Sequence, residues 1–136
     1  MNVEPVAEVT DGLVVLFSQA TNAAMAHRGG PAMWQSILCD MGPEEFLHAA
    51  IARNELWIAQ MGDNLVGLAV CRNGLIEVVY VQKSSRRQGV GTSLIRAVLM
   101  SVREPVDAYA LPGDRATKSF YESLGWKARL LTMRGA

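Results

Sequence analysis

The sequence predicts an α/β domain built on a mixed sheet, with an antiparallel meander followed by a parallel pair joined through a crossover helix. Three observations carry that reading. From Glu55 to Val81, three apolar runs (LWIAQM, LVGLAVCR and LIEVVYV) are separated by the turn signals Gly62-Asp63-Asn64 and Asn73-Gly74. This is the pattern of consecutive hairpins. A glycine-bearing loop and an amphipathic helix, from about Gly91 to Val102, come next. A further apolar run, PVDAYAL, follows that helix. A helix lying between strands that end at Val81 and begin near Val106 makes those two strands parallel neighbours.

The elements fall in order along the chain. Val3 to Val6 is a short first strand. Thr10 and Asp11 are N-cap residues for a helix that carries Leu13, Leu16 and Phe17 and runs to about Ala26. HRGGP, residues 27–31, breaks it. A second helical region holds Met33, Trp34, Ile37 and Leu38. Pro43, Glu44 and Glu45 open a third helix, with Phe46, Leu47, Ala50 and Ile51 on one stripe. After the three strands, the loop and its helix come the strand PVDAYAL, the turn PGD, the short helix RATKSFYESLG ending at Gly125, and a last strand WKARLLTM.

The chain has 136 residues, half of them hydrophobic, which suits one domain spanning 1–136 with its own core. Thirteen Lys plus Arg balance thirteen Asp plus Glu. That balance argues against broad nucleic-acid or membrane-surface binding, which shows as a basic excess. Cys39 and Cys71 lie far apart without metal-ligand spacing and read as reduced thiols. The start, MNVEPVAEVTD, has neither the basic nor the apolar region of a signal peptide. LVVLF is far shorter than the roughly 20 residues of a membrane span. The expected location is cytoplasmic.

The stretch SSRRQGVGTSLIRAVL, residues 84–99, gathers Arg86, Arg87 and two glycines at the entrance to a helix. A first helical turn has N–H groups without partners and the positive end of the helix dipole, and glycine lets an anion come close to the backbone. With Lys83, Thr92 and Ser93 added, the loop reads as a diphosphate seat. The alternative is a strand-to-helix turn with solvated arginines. Two nucleotide-binding motifs do not fit. Walker A needs Lys-Ser/Thr after its last glycine, and Gly91 is followed by Thr92-Ser93. The dinucleotide fingerprint needs a third glycine or alanine where Leu94 stands.

VQKSSRRQGVGTSLI resembles the signature loop of the GCN5-related N-acetyltransferases (GNAT), Arg/Gln-x-x-Gly-x-Gly/Ala after a strand ending in Val. Arg86, Gly89 and Gly91 fill it, behind Val81. DRATKSFYESLGW is similar to the family's later Tyr-bearing helix, with Phe120, Tyr121, Glu122, Gly125 and Trp126 matching. The resemblance covers about Leu56 to Trp126. It implies the acyl-CoA N-acyltransferase fold, with the parallel pair splayed and helices on both faces, and it implies acetyl-CoA as co-substrate with no metal.

The same resemblance assigns roles. The diphosphate would rest on the backbone from Arg87 through Gln88, Gly89, Val90 and Gly91 to Thr92, with Arg86 near the 3′-phosphate or bracing the loop. Val79 and Val81 would offer backbone groups to the pantetheine and thioester, and Asp114 would stand at the cofactor. Tyr121 matches the general acid that protonates the leaving thiolate. Its alternative is core packing. Glu77 interrupts LIEVVYV, and period-2 alternation puts it on the face of Val79 and Val81. It would serve as base or anchor for the attacking amine, or as the partner of a nearby arginine. The chain departs from the pattern at Asp114 and Thr117, where Asn and Ala are frequent, and at Arg87, where Gly is frequent. There is also room after Gly125 for one strand where the family has two.

His27 and His48 lack metal spacing, and Trp34 and Trp57 read as core. Asp40, Glu44 and Glu45 read either as an acidic rim for a cationic amine or as a solvated helix start. The expected activity is transfer of acetyl from acetyl-CoA to a primary amine of a small molecule or protein. The alternative is a non-catalytic acetyl-CoA sensor of the same fold. The acceptor's identity and a homodimer are left open.

Overall fold

The computed structural model describes residues 1–135. A five-stranded sheet runs in chain order, β1 (Asn2–Pro5), β2 (Leu56–Met61), β3 (Asn64–Arg72), β4 (Leu75–Val81) and β5 (Asp107–Ala108). The first three pairings are antiparallel and β4–β5 is parallel. The Asn73-Gly74 turn joins β3 to β4 with both residues at positive φ, 52° and 73°. That is the type I′ geometry whose twist suits a two-residue hairpin, and Asn and Gly tolerate it best.

Three helices cover one face of the sheet: α1 (Asp11–Met25), α2 (Gly30–Leu38) and α3 (Pro43–Ala52). The Thr10 hydroxyl caps α1 by accepting the Leu13 N–H at 3.2 Å. Pro31 and Pro43 sit in the first turns of α2 and α3, where the missing N–H costs nothing. Phe17 meets Trp34 edge-on at 5.3 Å and stacks on Phe46 at 5.5 Å, which ties the three helices together above Leu56, Leu68 and Val70. The other face is covered by α4 (Val90–Ser101) and by Tyr121 of α5 (Arg115–Ser123). There Val90, Leu94, Ile95 and Val98 pack on Trp57, Ala59, Ala69, Cys71 and Ile76. Among the described residues, no helix is long and apolar enough to cross a membrane.

Two expected strands differ. PVDAYAL contributes only two residues of ladder, Asp107 against Leu75 and Ala108 against Ile76. WKARLLTM forms no strand. Among the described residues, 127–135 are irregular and exposed, with Leu130 87 % and Met133 83 % accessible. A strand exists by its ladder, and a two-residue β5 offers too little edge to template another. The tail's polar link to β5 is Arg129 to Asp107 at 3.4 Å, between two exposed side chains.

Candidate active site

The short β5 is what opens the site. The Gln82 N–H bonds to Val66 O at 2.8 Å across the β3 ladder. By the alternation of an antiparallel pair, Tyr80 and Val78 also direct their backbone groups to β3, and Val79 and Val81 direct theirs away. On that side, the last described backbone bond from the β5 segment is Tyr109 N–H to Ile76 O, 3.1 Å. Beyond it β4 and the chain after β5 part, and a cleft of about 860 Å³ opens between them. The cleft is walled by Val79 and Val81, by the loop from Ser85 to Thr92, by α1 and α2, and by the start of α5.

The loop presents the N-terminus of α4. Ser93 N–H makes the first helical bond, to Gly89 O at 3.0 Å, so the N–H groups of Val90, Gly91 and Thr92 have no partner inside the helix. Gly89 caps the helix at φ 80°, a conformation that disfavours any side chain, and a Cβ there would stand in open space. Gly91 is small for a different reason. A Cβ on it would come within 3.1 Å of the Phe120 ring on α5. Arg87 also takes a left-handed φ, 63°, at a position where Gly is frequent in the motif it resembles. Arg86 folds back, its Nε donating to Val81 O at 3.0 Å with its guanidinium over the Tyr80 ring. Thus Arg86 braces the loop and takes up one of the two carbonyls expected to face the ligand.

Most of the residues singled out from sequence meet here. Glu77, Val79, Val81, Arg86, Arg87, Gly89, Val90, Gly91, Thr92 and Asp114 all line the cleft. Gln88 is exposed and does not. Nor does Tyr121, whose place at the cleft is taken by Phe120. Tyr121 is 6 % exposed and stacked on Trp126 at 5.0 Å. Its hydroxyl is buried without a partner among the described residues. Burial, reinforced by the neighbouring Cys71, pushes the phenol above the usual tyrosine range. Asp40, Glu44 and Glu45 also lie outside the cleft lining.

Glu77 is not on the face that alternation predicts. Val70 pairs with Val78 and Cys71 with Ile76, so Glu77 is the extra residue of a β-bulge. The bulge resets the alternation. Ile76, Val79 and Val81 face α4, while Val78 and Tyr80 face the α1–α3 side, where Glu77 meets Arg72 beside Ile37 and Phe46. Arg72 grips its carboxylate through Nε and Nη2, the latter at 2.9 Å from Oε2, and Nη2 also donates to Ile37 O at 3.0 Å. The guanidinium lies 5.3 Å from the centre of the Phe46 ring. Arg72 was not singled out from sequence, although the Asn73-Gly74 turn brings the strand positions of Arg72 and Glu77 close together.

The two departures in the α5 motif belong together. Asp114 caps α5, accepting the Thr117 N–H at 3.1 Å, and its other oxygen accepts the Thr117 hydroxyl at 2.8 Å. His27, at the end of α1, stands 3.9 Å from the same carboxylate across the cleft. Among the described residues, no group of three or more His, Cys, Asp or Glu could hold a metal ion.

A splayed parallel pair, a glycine-capped helix start beneath it and a Phe-Tyr helix beside it define the acetyltransferase class of α/β fold. The sequence model of the acetyltransferase (GNAT) domain matches residues 23–132, and the chain belongs to that family. Comparison with curated proteins by sequence finds no match. Among solved structures, a tetramutant protein from Bacillus halodurans superposes with a TM-score of 0.74 at 17% identity, over 100% of this chain and 99% of that one. The apo aminoglycoside 6'-N-acetyltransferase from Acinetobacter haemolyticus gives 0.65 at 16% identity, over 100% and 97%. An aminoglycoside N-acetyltransferase in complex with CoA gives 0.53 at 17% identity, over 76% and 84%. At these identities the likeness is one of fold.

Proposed function

We propose that residues 1–136 act as one acetyltransferase domain that moves acetyl from acetyl-CoA to a primary amine by direct attack. The observation that carries this reading is that Val79, its backbone turned away from β3, and the bare α4 N-terminus line one open cleft. An extended strand edge can hold the amides of a pantetheine arm, and a helix start can hold the diphosphate at its far end. In this reading Val90, Gly91 and Thr92 donate backbone N–H groups to the phosphates, Arg87 adds charge, and Arg86 fixes the loop.

The amine nitrogen attacks the thioester carbon, the C–N bond forms, and the C–S bond breaks with its electron pair leaving on sulfur. Tyr121 is proposed to give that thiolate a proton. A protonated phenol with no hydrogen-bond partner among the described residues is a donor in want of an acceptor. Glu77 is proposed to anchor the incoming amine. Arg72 engages both its oxygens, yet each carboxylate oxygen keeps a further lone pair that can accept one N–H.

The position of Tyr121 behind Phe120, off the cleft, favours a second reading, a domain that binds acetyl-CoA without transferring its acetyl group. One experiment separates the two. Acetyl-CoA affinity is measured by calorimetry and thiol release is followed against a panel of amines. Amine-dependent release of CoA is expected. Tight binding with no release from any amine would leave the sensor.

A further inference from the structure

The charge on the cleft wall says what kind of amine can enter. The lining carries two carboxylates, Glu77 and Asp114, against Arg86, Arg87 and Arg115. Glu77 is paired with the Arg72 fork, and Asp114, which accepts the N–H and hydroxyl of Thr117 and has His27 at 3.9 Å, shares its wall with three arginines. On the side away from the α4 loop, α1 and α2 contribute Ala20, Ala23, Ala24, Met33 and Trp34, with His27 just past the end of α1. A neighbouring pit of about 450 Å³ does hold another carboxylate, Glu55, but Arg53 and Arg72 line it as well. Across both cavities the arginines outnumber the carboxylates.

We infer that the acceptor is a monoamine carried on an apolar body, aromatic or branched aliphatic, and not an oligocation such as an aminoglycoside or a polyamine. The inference rests on the acetyltransfer reading and narrows it. An oligocation brings several ammonium groups, each losing hydration in the cleft, and unpaired buried charge is costly. A monoamine brings one, and Glu77 can accept one N–H. Its apolar body gains by covering the Ala, Met and Trp wall. The transfer then balances as amine plus thioester giving amide plus thiol, the proton lost from nitrogen ending on sulfur.

The test uses the full chain with saturating acetyl-CoA and reads CoA release for 2-phenylethylamine, spermidine and kanamycin. The wild type is expected to favour 2-phenylethylamine over both others by at least about tenfold in kcat/KM, the discrimination a pocket of this kind can supply. Ala23→Asp places a carboxylate on the wall at an exposed helix position. It is expected to lower kcat/KM for 2-phenylethylamine and raise it for spermidine, with acetyl-CoA affinity unchanged. Preference of the wild type for spermidine or kanamycin would overturn the monoamine inference and leave acetyl transfer standing. Bound acetyl-CoA with no release from these three or from any amine of the wider panel would remove acetyl transfer and this inference with it. Release from other amines alone would overturn the inference only.

Discussion

Arg72 holds both carboxylate oxygens of Glu77 from across the Asn73-Gly74 turn, and through Ile37 O it ties that pair to the end of α2. The Glu77 side chain is 9% exposed and that of Arg72 20%. Removing one partner of such a pair leaves the other's charge poorly solvated. Arg72→Met is therefore expected to destabilise the fold by about 2–3 kcal/mol, somewhat less than the roughly 3–5 kcal/mol of a fully buried pair because this one borders solvent. Adding Glu77→Gln to Arg72→Met should recover most of that loss. Urea midpoints of the wild type and both variants check it, and a double variant no more stable than the single would sink the account.

Gly89 and Gly91 are small for unlike reasons, so the same substitution should fail differently at each. Gly89→Ala forces a side chain into φ 80°, at a cost of about 1–2 kcal/mol, and unsettles the helix start. Gly91→Ala leaves the backbone in place but pushes on the Phe120 ring. Both should weaken acetyl-CoA binding by calorimetry. Only the Gly91 variant should be rescued by Phe120→Leu, which clears the contact. Rescue of Gly89→Ala by Phe120→Leu would count against this division.

The difference between what the sequence disclosed and what it hid runs along the same lines. Local chemistry was legible: the Thr10 cap, the Asn73-Gly74 turn, and the glycines opening α4 each work within a few residues of themselves. The bulge at Glu77 was not, because it is a mismatch between β3 and β4 and belongs to neither strand alone. Alternation counted along one strand therefore put Glu77 on the wrong face. The WKARLLTM tail failed similarly, since its β character needs a neighbour and β5 ends after two residues. Asp114 and Thr117 looked like two separate departures from the family pattern, and only their hydrogen bonds reveal a single capping unit.

The two cysteines should part company in solution. Cys39 is exposed, while Cys71 is buried under α4. Burial first, then the charges of Glu104, Glu55 and Glu77, push the Cys71 thiol up to about 11. A thiol whose pKa lies that far above the assay pH is protonated, and the protonated form is not the nucleophile. At pH 8 a disulfide reagent should therefore titrate one thiol per native chain quickly and the second only in denaturant. Two fast thiols in the folded protein would show that the α4 face opens readily.

Tyr121 yields a prediction in which stability and activity move in opposite directions. Its hydroxyl is buried with no partner among the described residues. An unsatisfied buried hydroxyl costs about 1–3 kcal/mol, so Tyr121→Phe should stabilise the free protein by about 1 kcal/mol or more. The ring and its stack on Trp126 are kept, so nothing else in the core changes. If the hydroxyl protonates the departing thiolate, the same variant should lose turnover by about 10²-fold while binding acetyl-CoA as before. Its raised pKa keeps the phenol protonated throughout the assay range, so the wild type should show no alkaline limb from Tyr121 below the usual tyrosine range. A urea midpoint and a CoA-release rate on the same two proteins decide the matter. Higher stability with lower turnover marks a group held at a cost for its chemistry. Higher stability with equal turnover returns Tyr121 to packing and leaves the thiolate to take its proton from water.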